Sequence, residues 1–199
     1  MGITPHGETI MTLIWGNVPV PWTVSWTGEE RQFVAIDPQI GRRALMQDEL
    51  PGQGKPVFGK PHAQRQRRCI IECRCDICGK PITVAQSKVS LSHAAWRENA
   101  AKGSVTGILQ VEPFCHRACA RVAIEWCPSL KRDIDRGTLF IRQVKNYRMQ
   151  IAIIGIEYVP EYVPGYMKRP EDGRGVAGHA KIELITWKDR DQKWLEKNQ

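Results

Sequence analysis

Cys75-Asp76-Ile77-Cys78-Gly79 and, after an interval long enough for a hairpin, Cys115-His116-Arg117-Ala118-Cys119 decide how this chain is to be read. A short C-x2-C followed by Gly brings two thiolates together from a tight turn, and Gly permits the backbone conformation that turn requires. The second pair is spaced i, i+4, so on a helix both thiols project from one face toward one point. Four converging thiolates are what tetrahedral Zn²⁺ requires, and Cys75, Cys78, Cys115 and Cys119 are the expected ligands. His116 lies i, i+3 before Cys119 and is the alternative to Cys115, which would make the site Cys3His.

Outward from the quartet, the pattern is a knuckle, a hairpin and then a helix whose first turn supplies the last ligands. That order is the order of a treble-clef zinc finger. The expected fold is therefore α+β, a treble-clef zinc centre flanked by β-hairpins. Ile82-Thr83-Val84 and Gly107 to Val111 read as the hairpin arms, with Cys69 to Cys73 entering the knuckle as a strand. Leu91 to Lys102 reads as a short helix between the arms, capped by Ser92 and stopped by Gly103. A second helix begins near Cys115, turns Ala118, Val122 and Trp126 inward and stops before Pro128; a third runs from Ser129 to Arg136 and ends at Gly137. Cys69, Cys73 and Cys127 are expected to line the core as small hydrophobes.

On either side the pattern is β. Thr9 to Trp15 reads as one strand, and Trp22 to Trp26 and Gln32 to Ile36 flank a turn at Gly28. Leu139 to Val144 and Met149 to Val159 read as a hairpin turning at Lys145-Asn146. Ile151 to Ile154 has the continuous apolar character of a strand covered on both faces, and Ile182 to Trp187 is a last strand. The Gly and Pro density of Pro51-Gly52-Gln53-Gly54-Lys55-Pro56 marks a linker. The expected organisation is a β-rich region at 1–50, a linker at 51–64, the zinc region at 65–137 and a β-hairpin, basic loop and final strand at 138–199.

The 199 residues are 42% hydrophobic and 25% charged, the composition of an ordinary folded domain. Seven cysteines are an odd number for a disulfide framework, and no apolar run reaches membrane-spanning length. The opening residues lack a basic stretch followed by an apolar core, so the expectation is a cytoplasmic chain with reduced thiols and no membrane partner.

A net charge of +8 favours polyanionic partners. Arg65, Arg67 and Arg68 lead into the knuckle, and Lys131 and Arg132 follow the zinc helix; these are the expected nucleic-acid contacts. The expected role is a non-enzymatic, zinc-stabilised binding protein acting on nucleic acid or on a nucleic-acid-processing protein, with no catalytic residue. A structural or assembly subunit, using the aromatic N-terminal hairpin, is a further alternative.

Two resemblances bear on this. His93, Asn99 and Cys115-His116-x-x-Cys119 resemble in part the HNH nucleases, which would make His93 and His116 members of a metal-dependent hydrolytic centre. Ser92 stands where that family carries an acidic residue before its catalytic His, and Ala120 where a His follows the last Cys. Arg74-Cys75-Asp76-Ile77-Cys78-Gly79, Pro113-Phe114-Cys115-His116-Arg117-Ala118-Cys119-Ala120 and Cys127-Pro128-Ser129-Leu130 are similar to a family of small uncharacterised proteins of actinobacteria and their phages. That resemblance covers the middle third of the chain. It implies zinc bound by Cys75, Cys78, Cys115 and Cys119 and a phage setting, and it supplies no activity.

Overall fold

The computed structural model describes residues 2–3, 9–10, 12–92 and 108–196. The fold is α+β. Its N-terminal strands form small antiparallel pairs: β1 (Gly2–Ile3) with β2 (Thr9–Ile10), and β3 (Leu13–Trp15) with β4 (Val18–Val20). The stretch expected as one strand is thus divided between β2 and β3. β5 (Val24–Trp26) pairs with β8 (Pro56–Pro61), and β6 (Gln32–Asp37) pairs with β7 (Arg42–Gln47). No hairpin turns at Gly28, because Thr27–Glu29 is a 3-10 turn that sends β5 and β6 to different partners.

The main sheet is built around β12 (Gly175–Arg190), which begins well before the expected strand at Ile182. β11 (Phe140–Gly155) runs antiparallel along one edge of it, and β9 (Lys88–Ser92) pairs with β11 on the far side. The other edge of β12 is shared between β7, joined in parallel at Ala44 and Ala177, and β10 (Ile108–Gln110), antiparallel at residues 182–184. Strands from both ends of the chain therefore share one sheet, and the expected linker supplies β8.

β11 does not turn at Lys145-Asn146. It continues through a bulge, where the pairing passes from Val144–Trp187 to Asn146–Thr186. Ile153 on the same strand is exposed, so the 151–154 run is not covered on both faces. The expected arm at Ile82–Val84 is not a strand, and Val84 is 99% exposed; β10 pairs instead with β12. Leu91 and Ser92 end β9, and the rest of the helix expected at Leu91–Lys102, with His93 and Asn99, lies outside the described residues.

Where a strand was expected at Cys69–Cys73 the chain forms α1 (Ala63–Ile71). His62 caps it, its Nδ1 accepting from the Arg65 N–H at 3.3 Å while Nε2–H donates to the Asp48 carbonyl at 3.0 Å. The buried face of α1 is polar. Arg65 is fully buried in a bidentate pair with Glu29 (2.6 and 2.7 Å), whose two oxygens also accept from Leu50 and Trp26 N–H. Burial pushes the Glu29 carboxyl up, but Arg65 and the Trp26 amide outweigh it and hold the group below its ordinary value.

Arg67 pairs with Asp37 at 2.8 Å and donates to the Leu45 and Gly178 carbonyls at 3.0 Å, spanning the split between β7 and β12. Gln66 fills the next gap. Its side-chain amide accepts from the Ala180 N–H at 2.9 Å and donates to the Ala180 carbonyl at 2.8 Å, as a neighbouring strand would. Gln64 treats the backbone of Gln47 in the same way, at 2.7 and 2.9 Å.

The C-terminal half of the fold supplies α2 (Arg117–Trp126), α3 (Pro128–Asp135), a one-turn α4 (Val159–Tyr162) and α5 (Gln192–Glu196). Pro128 ends α2 and opens α3, and Gly137, at φ +65°, follows α3 as expected. α2 buries Cys119, Ala120 and Val122; Trp126 is 40% exposed and does not turn inward. The main core joins Ile70, Ile77, Val89, Phe114 and Val122 to the Ala180, Ile182 and Leu184 side chains of β12, and it includes Cys75, Cys115 and Cys119. No helix among the described residues is long and apolar enough to cross a membrane.

Candidate metal centre

Residues 75–79 form the knuckle. The Gly79 N–H donates to the Cys75 carbonyl at 2.9 Å, and the Cys75 N–H donates to the Lys80 carbonyl at 2.8 Å, folding both cysteines toward one side. Gly79 is at φ +69°, a conformation that favours glycine. N-terminal residues hold the loop from outside. Trp22 N–H donates to the Ile77 carbonyl at 3.0 Å, and the Thr23 hydroxyl donates to the Asp76 carboxylate. The Asp76 N–H donates to Phe114 at 2.8 Å, which ties the knuckle to the segment entering α2.

His116 is the N-cap residue of α2 and has the extended backbone of one, at φ −61° and ψ 155°, yet its side chain caps nothing. The ring turns to the thiols instead. Nδ1 lies 3.4 Å from Cys78 Sγ and 3.9 Å from Cys119 Sγ, and the His116 N–H donates to Cys75 Sγ at 3.4 Å. Ligand atoms of Cys75, Cys78, His116 and Cys119 all lie within 4.8 Å of one another, close enough to hold a metal ion. Metal–sulfur bonds of about 2.3 Å and metal–nitrogen bonds of about 2.0 Å imply tetrahedral edges of roughly 3.5–3.8 Å. The two nitrogen–sulfur separations, 3.4 and 3.9 Å, sit around those edges.

The outer hydrogen bond selects the tautomer. His116 Nε2 lies 3.2 Å from the Pro81 carbonyl, which can only accept, so Nε2 carries the proton and the Nδ1 lone pair faces the sulfurs. With protons as the sole positive charge, hydrogen bonds to Cys75 and Cys78 push His116 up to about 10. Burial opposes ionisation of Cys75, but donors from Cys115, Cys119, Cys78 and His116 overcome it and pull its value down. The same Cys75 charge holds Cys119 up. The positive N-terminal end of α2 favours the thiolate form of these cysteines, the form in which they bind a metal ion.

The cluster that could hold a metal ion contains His116, the alternative, in place of Cys115. Cys115 is outside the cluster because α2 begins at Arg117, and Cys115 instead forms a two-way backbone bridge with Val89 (2.8 and 2.9 Å). Its thiol is buried, and interaction with Cys75 together with burial pushes it well above its ordinary value. Cys69 is buried and donates to the Cys75 carbonyl at 3.6 Å, while Cys73, at φ +51°, makes the turn out of α1.

The expected nucleic-acid contacts divide. Arg65 and Arg67 are 0% exposed and committed to Glu29 and Asp37, so neither is available at a surface. Arg68 is half-buried, bridged to Glu49 at 3.1 Å and placed over the Trp22 ring at 5.8 Å. Lys131 and Arg132 are exposed on α3. No protein-family model matches the chain, and no curated protein or solved structure matches it closely enough to count as a relative.

Proposed function

We propose that this chain is a non-enzymatic binding protein whose Cys75, Cys78, His116 and Cys119 hold a structural Zn²⁺. The observation that carries the reading is the completeness of the donor set: three sulfurs and one imidazole nitrogen within 4.8 Å of one another, with the imidazole oriented by Pro81. Cys75 and Cys119 are buried in the main core. A fourth protein ligand leaves no position for water or substrate, which is the arrangement of a structural site. In this role the ion staples the knuckle to the start of α2. His116 is then a ligand, which removes one of the two histidines that an HNH-like nuclease would need.

The partner in this reading is nucleic acid or a protein that handles it. Support comes from the +8 charge and from Lys131, Arg132 and Arg136, exposed on and just after the helix that follows the centre. Binding to duplex DNA is expected to weaken steeply with salt, and Lys131→Ala with Arg132→Ala should reduce the salt slope by about two phosphate contacts. No binding at low ionic strength would overturn the nucleic-acid part, and zinc-free purified protein would overturn the metal part. A docking role has one specific support: Leu13, Ile14 and Trp15 of β3 are 44%, 39% and 42% exposed in a row. Loss of a co-purifying protein on Trp15→Ser would favour that reading.

A further inference from the structure

We infer that Cys115 is the redox partner of Cys75, so that a disulfide between them takes over from the metal as the staple between the knuckle and the start of α2. This rests on the metal reading above and adds an oxidation-sensitive exchange to it.

Three observations carry the inference. Once Cys75, Cys78, His116 and Cys119 are counted as ligands, Cys115 is a free buried thiol in the same core cluster as Cys75, one residue before His116, whose N–H donates to Cys75 Sγ at 3.4 Å. The two backbones are tied side by side by the Asp76 N–H to Phe114 carbonyl bond at 2.8 Å, and each is fixed in turn: Cys115 by its paired hydrogen bonds to Val89, Cys75 by those to Lys80 and Gly79. The two residues therefore stay neighbours without help from the ion. Finally, a Cys75–Cys115 bond would join the same two segments that the metal joins, the knuckle and the residue before His116. The fold can then persist when the ligand set is lost.

The oxidant is a hydroperoxide. One of the two sulfurs attacks the peroxide oxygen and becomes a sulfenic acid as hydroxide leaves. The other sulfur displaces the second hydroxide and forms the disulfide. In sum, two thiols and one hydrogen peroxide give one disulfide and two waters, with the sulfurs oxidised by two electrons and the peroxide oxygens reduced by two. Cys75 can no longer serve as a thiolate ligand, and the remaining three donors hold the ion poorly.

The test treats the purified full chain with hydrogen peroxide, follows zinc release with a chromogenic chelator, and maps disulfides by mass spectrometry after alkylation. The expected result is a Cys75–Cys115 cross-link that appears with zinc release, and return of the starting zinc content after a thiol reductant and Zn²⁺ are added. Cys115→Ser should carry the same zinc before oxidation and fail to recover it afterwards, with Cys75 advanced to sulfinic acid. A cross-link from Cys75 to Cys78 or Cys119 with Cys115 alkylated, or full recovery in Cys115→Ser, would overturn the inference. If the variant does not fold, the wild-type map decides alone. If the wild-type chain carries no zinc, the metal reading fails by itself, and the map of the metal-free chain still decides this inference.

Discussion

Gly79 lies directly beneath the indole of Trp22: a Cβ at Gly79 would stand 2.7 Å from the ring's Cγ. The position is constrained twice, since its φ of +69° already disfavours any other residue. Strain of that kind costs about 1–3 kcal/mol and overpacking a similar amount. Gly79→Ala should therefore lose about 2–6 kcal/mol in urea denaturation and loosen the knuckle that carries Cys75 and Cys78. Trp22→Ala in the same background should recover part of the loss, because it removes the clash and leaves the strain.

In the cluster His116 stands where spacing alone places Cys115. His116→Ala should lower zinc affinity by more than the 10–100-fold typical of losing an outer-shell partner, whereas Cys115→Ala should retain zinc. Competition with a chelator of known affinity measures both. Zinc lost from the Cys115 variant and kept by the His116 variant would reverse the ligand assignment.

Glu29 and Arg65 form a buried pair in which each carboxylate oxygen meets one guanidinium nitrogen and one backbone amide. Removing one partner leaves an uncompensated buried charge. Glu29→Gln is expected to cost about 3–5 kcal/mol, measured by chemical denaturation. Replacing both residues by apolar side chains of similar volume should cost less than the single change.

His62 is kept below its ordinary value by burial first and by the Arg65 charge second; burial and Arg67 act on His179 in the same direction. The unfolded chain takes up these protons near pH 6.5, and the folded chain does not. Stability should therefore decline as pH falls below about 6.5, by up to about 1.4 kcal/mol per pH unit for each histidine. The decline ends at the folded-state values. His62→Asn keeps a side-chain acceptor at the helix N-cap and removes the titration, so its stability should fall less steeply over that range.

How much of this was legible in the sequence depended on how far apart the interacting residues lie. The knuckle and α3 rest on local signals, a Cys-x2-Cys-Gly turn and a Pro128-to-Gly137 frame, and both emerged where the residues placed them. The cluster takes His116, the alternative that the spacing leaves open, in place of Cys115. The i, i+4 reading required Cys115 to be on the helix, but its backbone is held in a bridge to Val89, and the helix starts two residues later. α1 was read as a strand behind a surface patch because its buried face carries Arg65, Gln66 and Arg67. Their partners lie 36, 114 and 30 residues away in sequence, beyond the reach of any periodicity. At Lys145-Asn146 the residues are those of a turn, and the pairing with β12 absorbs them as a bulge instead.

The Gln66 contact gives the Ala180 amide an unusual meaning in hydrogen exchange. It is a strand amide in the middle of the main sheet, yet its acceptor is a side chain on α1, 114 residues earlier in the chain. Its protection reports whether that helix is docked, while the amides on either side report the strands. A conformer that released α1 and kept its sheet would show itself at Ala180 before it showed anywhere along β11.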